Sequence, residues 1–176
     1  MPAAAAGAFS MLIARVQLDR IEELLAEFSR PQSEMRPLAF YQAHHLAILA
    51  MLRSVGHVLQ KVDADTSQKK AWLADSWPRW TSEPIFSEFI ELERNRLLKE
   101  FRGGIESGNP AIITTGAVAD PFAPSGASLR VALDVGQLLA ADGSRLLDRL
   151  RDAIDFWRRH LAEAEAAFAD LCSARR

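Results

Sequence analysis

Four polar residues whose side chains can pair with or donate to a charged group fall close together, Glu93, Arg94, Asn95 and Lys99, in a stretch whose apolar residues Phe86, Ile90, Leu97 and Phe101 recur at helical spacing. On an α-helix Arg94 and Lys99 are separated by about 7.5 Å along the axis and about 140° around it, and long side chains still let both approach one group. The guanidinium grips with a planar fork and the ammonium as a point charge. Glu93 and Arg94 interrupt a core-facing stripe, a costly arrangement unless they are paired or open onto a cleft. The set holds no group that exchanges protons near neutrality. A lysine with an ordinary pKa of about 10.4 stays protonated, so Arg94 and Lys99 are two cations that supply no base.

The histidines are the second set. His44 and His45 are adjacent, so on a helix they point about 100° apart and do not easily share one ion. His57 follows Arg53 with three residues between them, and His160 sits beside Arg158 and Arg159. No His-Glu-x-x-His, paired Glu-x-x-His or Cys-x-x-Cys is present, so no cofactor or metal is expected. The alternative is a small-molecule or metal-binding four-helix bundle in which His45, His57 and His160 converge beside the tryptophan-rich segment. G-x-S-x-G and the phosphate-binding Gly-rich loop are missing, which argues against serine hydrolase and nucleotide hydrolysis chemistry. Arg145, Arg149, Arg151, Arg158 and Arg159 alternate with Asp148, Asp152 and Asp155. That mixture reads as a solvated face laced with ion pairs rather than a basic RNA track.

Helices must position these residues. The chain has 176 residues, 49% hydrophobic and 25% charged, with a net charge of -2. That balance fits one soluble globular domain and neither a nucleic-acid sink nor a disordered tail. The single cysteine, Cys172, cannot form an internal disulfide, and with no apolar run of about 18 residues the expected setting is the cytoplasm. Residues 1–10 read as a frayed extension, with Met11 a second possible start, and residues 11–176 as one helical bundle. Met11, Ala14, Leu18, Ile21, Leu25 and Phe28 form the first stripe, which Pro31 and Pro37 close. Tyr41, His45, Ile48, Leu52, Val55, Leu59 and Val62 form the second. A short helix is predicted near Ser67 to Ser76, followed by an irregular crossover in which Trp72, Trp77 and Trp80 make a hydrophobic lid. Pro84 to Phe101 makes the third long helix, ended by Gly103 and Gly104. The last stripe, Leu147, Leu150, Ile154, Trp157, Leu161, Ala164, Phe168 and Leu171, starts near Asp142 or Ser144. Between the last two, Ile112 to Thr115 and the alternation Leu129, Val131, Leu133, Val135 permit a small β-hairpin within 111–135. One-sided helices must bury those faces together, and the fold class is all-α: a four-helix bundle with a short extra helix.

The string Glu93-Arg94-Asn95, with Leu97-Leu98-Lys99-Glu100-Phe101 after it, resembles a segment of HEPN-domain proteins, helical bundles of toxin-antitoxin and abortive-infection systems. In catalytic members an arginine, often followed by a polar residue such as asparagine, precedes a histidine by four to six intervening residues. Arg94 matches the arginine and Asn95 its polar neighbour. With Asn95, Arg96, Leu97 and Leu98 intervening, Lys99 takes the place of the histidine. The resemblance implies a homodimeric interaction or RNA-binding module, without the family's standard metal-independent ribonuclease chemistry, in a toxin-antitoxin or defence setting. It makes Arg94 the phosphate anchor, Asn95 its orienting neighbour, and Glu93 and Lys99 the local charge network. RNA or an antitoxin protein is the implied partner.

Overall fold

Apolar spacing decides which helix faces meet, and the turns between decide where each stripe stops. The structure, a computed structural model, describes residues 11–30, 36–100, 112–119, 127–140 and 142–173. Helix α1 is Ile13–Ser29, and Ala14, Leu18, Ile21, Leu25 and Phe28 of its stripe are buried. Met11 is exposed, and Leu12 takes the inward place beside it. No residue next to α1 caps it with a side chain. Instead Asp63 accepts hydrogen bonds from the amides of Ile13, at 2.8 Å, and Ala14, at 2.9 Å. One carboxylate thereby satisfies two orphan donors and sits at the positive end of the helix dipole.

Helix α2, Leu38–Val58, runs on into a π-helical turn, Leu59–Asp63. Tyr41, His45, Ile48, Leu52, Val55 and Leu59 are buried as their period requires. Val62 is not. It is 53% exposed, because hydrogen bonds from i to i+5 carry it off the stripe. Helix α3, Ser67–Thr81, is capped by Thr66, whose hydroxyl accepts from the Lys69 amide at 3.2 Å. It continues past the predicted end at Ser76 and through Pro78. Proline there deprives only the carbonyl of Ala74, and Ala74 and Pro78 are both exposed, where water can serve that carbonyl. The extra turn delivers Trp80, fully buried, with its Nε1 donating to Glu163 at 3.2 Å.

Helix α4, residues 85–100, alternates between two geometries: π over Ile85–Glu91, α over Leu92–Asn95 and π again over Arg96–Glu100. Helix α5, Leu146–Ser173, buries its predicted stripe from Leu147 to Phe168, with Leu171 half-buried. Ala153, Phe156 and His160 are buried as well, so α5 is covered over a wider arc than the stripe alone. Asp142 accepts from the Ser144 amide at 2.9 Å just ahead of it. Helices α1, α2, α4 and α5 pack together as the bundle, and α3 lies against α5 and α4. The tryptophans close over this core: Trp72 meets Phe168 at 5.7 Å between centroids, and Trp77 meets Phe86 at 5.9 Å.

The expected hairpin is present. Strands β2, Ile112–Ala119, and β3, Ala127–Leu133, pair antiparallel, with Ile112 opposite Leu133 and a register shift between Thr114 and Ala117. A two-residue strand β1, Arg36–Pro37, adds to the other side of β3, giving the order β1-β3-β2. Proline is tolerated there because β1 is an edge. Val135, expected in the alternating run, is buried instead at the start of a 3-10 turn, Val135–Gln137, which Asp134 opens by accepting from the Gly136 amide. The expected extension at 1–10, and the expected breaks at Pro31, Gly103 and Gly104, lie outside the described residues. Among the described residues no helix is long and apolar enough to cross a membrane.

Candidate functional site

Arg94, Asn95 and Lys99 line one cleft of about 370 Å³ between α4 and α2. From α2 it receives Arg53, Ser54 and His57, and from α4 also Glu91 and Leu98. On an α-helix Arg94 and Lys99 would lie about 140° apart and meet only through the length of their side chains. The π geometry of Arg96–Glu100 bonds residues five apart and draws them toward a common face. Arg53 and His57 are four residues apart on α2, one turn on the same face.

Three cations therefore meet one carboxylate in this cleft, and none of Arg53, Arg94 and Lys99 forms an ion pair among the described residues. Arg94 donates from Nη1 to Asn95 Oδ1 at 2.9 Å, so the asparagine steadies the guanidinium without neutralising it. Arg53 is steadied by a ring instead, its guanidinium carbon 5.4 Å from the Phe86 centroid. Elsewhere on α4 and α5 the arginines are occupied. Arg149, Arg151, Arg158 and Arg159 pair with Asp142, Asp148, Glu22 and Glu83 respectively. Positive charge left unspent on these two helices is concentrated in the cleft.

Glu93 does not join it. It points inward, 4% exposed, and pairs with Arg96 at 3.3 Å. Burial pushes its carboxyl above the usual range, Arg96 and Arg149 pull it back, and Asp142 adds to the rise. Its place is the structural one that an acid on a core-facing stripe requires.

The three histidines considered as metal ligands occupy three different settings. His57 lies exposed in the cleft. His45 is buried with neither ring nitrogen hydrogen-bonded, and burial pushes its pKa down to about 4. His160 is also buried, with Nε2 2.7 Å from Glu83 Oε1 and Nδ1 3.5 Å from Glu163 Oε2. Its ring stacks on Trp80 at 4.5 Å. Arg159 donates to Glu83, and Arg79 pairs with Glu163. Burial raises both carboxyls, but their arginine and His160 partners outweigh it and hold them below the usual carboxylate range. This chain of charges ties α3 and the start of α4 to α5. Among the described residues no three His, Cys, Asp or Glu side chains stand where they could hold a metal ion.

Sequence reasoning found Arg94, Asn95 and Lys99 but missed Arg53, Ser54 and Glu91, and set His57 apart from them. The only available signal was that Arg53 and His57 share a polar face of α2; that this face turns toward α4 depends on how the helices pack. Glu83 and Glu163, the partners of His160, were likewise hidden because they approach it from separate places in the chain. No protein-family model, curated protein or solved structure matches the chain.

Proposed function

We propose that the chain is a HEPN-like RNA-binding or interaction module, lacking the family's standard ribonuclease chemistry, whose α2/α4 cleft holds RNA phosphate. The observation that supports this reading is the convergence of Arg53, Arg94 and Lys99, without ion pairs among the described residues, on one cleft. Unneutralised arginines held by an amide and a ring are ready to donate paired hydrogen bonds to phosphate oxygens. The toxin-antitoxin or defence setting, an antitoxin partner and a homodimer enter through the resemblance alone. Lys99, where the family has histidine, serves as an anchor and not as a base.

Binding of a fluorescent short RNA, followed by anisotropy, tests the proposal. Arg94→Ala should weaken binding about tenfold, the scale of one charge-assisted contact, and should do so on every sequence alike. RNA binding unchanged by both Arg94→Ala and Arg53→Ala would remove the cleft from the account. The same RNA, incubated with EDTA, should stay intact. Robust cleavage that disappears in His57→Ala would instead make His57 the proton-transfer group that Lys99 cannot be.

A further inference from the structure

We infer that the α2/α4 cleft is built for a terminal phosphate of RNA rather than for a phosphodiester within the strand. The inference rests on the RNA reading above and adds which part of the strand is held. Three cations, Arg53, Arg94 and Lys99, face one carboxylate, Glu91, leaving an excess of two positive charges. An internal phosphodiester carries one negative charge. A phosphate monoester carries about 1.5 to 2 near neutrality and offers three acceptor oxygens. The excess matches the monoester.

Size and surroundings point the same way. A cleft of about 370 Å³ is at the small end of ligand sites, which run from about 300 to 1,000 Å³, and holds a nucleotide end more readily than a length of strand. A protein that tracks an RNA backbone needs a positively charged groove running along it. Among the described residues the arginines of α5 offer no such continuation: Arg149, Arg151, Arg158 and Arg159 are bound to carboxylates, as Arg96 of α4 is to Glu93. Arg94 and Arg53 are held by Asn95 and Phe86, so little ordering remains when a phosphate arrives. His57 adds a ring N–H donor to the same wall. Glu91 then has a use that an anion site would otherwise lack, since a carboxylate accepts a hydrogen bond from a ribose hydroxyl.

The test compares one short RNA carrying a 5′-phosphate, a 3′-phosphate or hydroxyls at both ends. A fourth strand, hydroxyl-ended and one nucleotide longer, matches the phosphorylated strands in number of phosphate groups. One phosphorylated end should bind about tenfold tighter than the hydroxyl-ended strand, the gain of one strong charge-assisted contact, and which end does so identifies the terminus. The longer strand should gain almost nothing. Arg94→Lys, which keeps the charge and loses the fork, and Lys99→Gln, at an exposed position, should each reduce the advantage of the phosphorylated end. Equal binding of all four strands, lost in Arg94→Ala, would overturn the terminal-phosphate inference and leave the RNA reading in place. Binding of none of them would overturn both.

Discussion

At the scale of single residues, burial without a partner has a definite sign. His45 is ordinary in the unfolded chain and pushed down to about 4 in the folded one. Above pH 6.5 both states are neutral there and the residue contributes no pH dependence. As pH falls toward 4 the unfolded chain takes up a proton that the folded chain refuses, so stability drops by about 1.4 kcal/mol per pH unit, about 3 kcal/mol in all. His45→Leu, close in volume, should remove this part of the acid sensitivity, read as urea unfolding free energies at several pH values. Identical slopes for the two proteins would mean that folded His45 accepts a proton after all. His160 is the contrasting case, buried but held by Glu83 and Glu163. Glu83→Ala should cost about 1–3 kcal/mol by leaving Nε2 unpaired in the core, and chemical denaturation that detects no change would show that water replaces the carboxylate. Sequence made both histidines visible and distinguished neither, because whether an imidazole finds a partner depends on residues from other helices.

At the scale of elements, the stripes of α1, α2 and α5 were legible because burial follows the helical period wherever that period persists. Legibility failed at Val62, where a π turn shifts the face, and at Pro78, where Trp80 anchors a turn that proline alone would have ended. In α4 it was partial. The α-period leaves Arg94 and Lys99 about 140° apart, to be joined by side-chain reach alone, whereas the π segment that contains Lys99 turns it toward the cleft that Arg94 lines. Nothing in residue spacing encodes a change from i→i+4 to i→i+5 bonding. Close approach between elements gives a sharper test. A Cβ on Gly56 of α2 would overlap the Trp77 ring of α3 and lie 2.7 Å from Cη2 of Trp157 on α5. Helix propensity favours alanine over glycine by about 1 kcal/mol, but forcing two indoles apart costs about 1–3 kcal/mol. Gly56→Ala should therefore lower the melting temperature, while a rise would show that the tryptophans yield at little cost.

At the scale of the whole molecule, the bundle is close to neutral, with a net charge of -2, and its overall field gives RNA no reason to approach. Attraction must come from the local excess of charge in the cleft, which has a measurable consequence. Each phosphate neutralised on a single strand releases condensed counterions and contributes about 0.7 to the slope of log affinity against log salt. Arg53, Arg94 and Lys99 line the cleft against Glu91, and a terminal phosphate that meets the excess of about two charges gives a slope of about -1.4. A protein that binds RNA along an extended basic track gives a much steeper slope because it meets many phosphates. Lys99→Gln should make the slope shallower by about 0.7 while leaving the helical circular dichroism spectrum unchanged. A slope near -5, insensitive to Lys99 and Arg94, would place RNA on some other face of the molecule. The interleaved ion pairs of α5 make such a face hard to find on that helix, since Arg158 is held by both Glu22 and Asp155 and would have to surrender them to hold a phosphate.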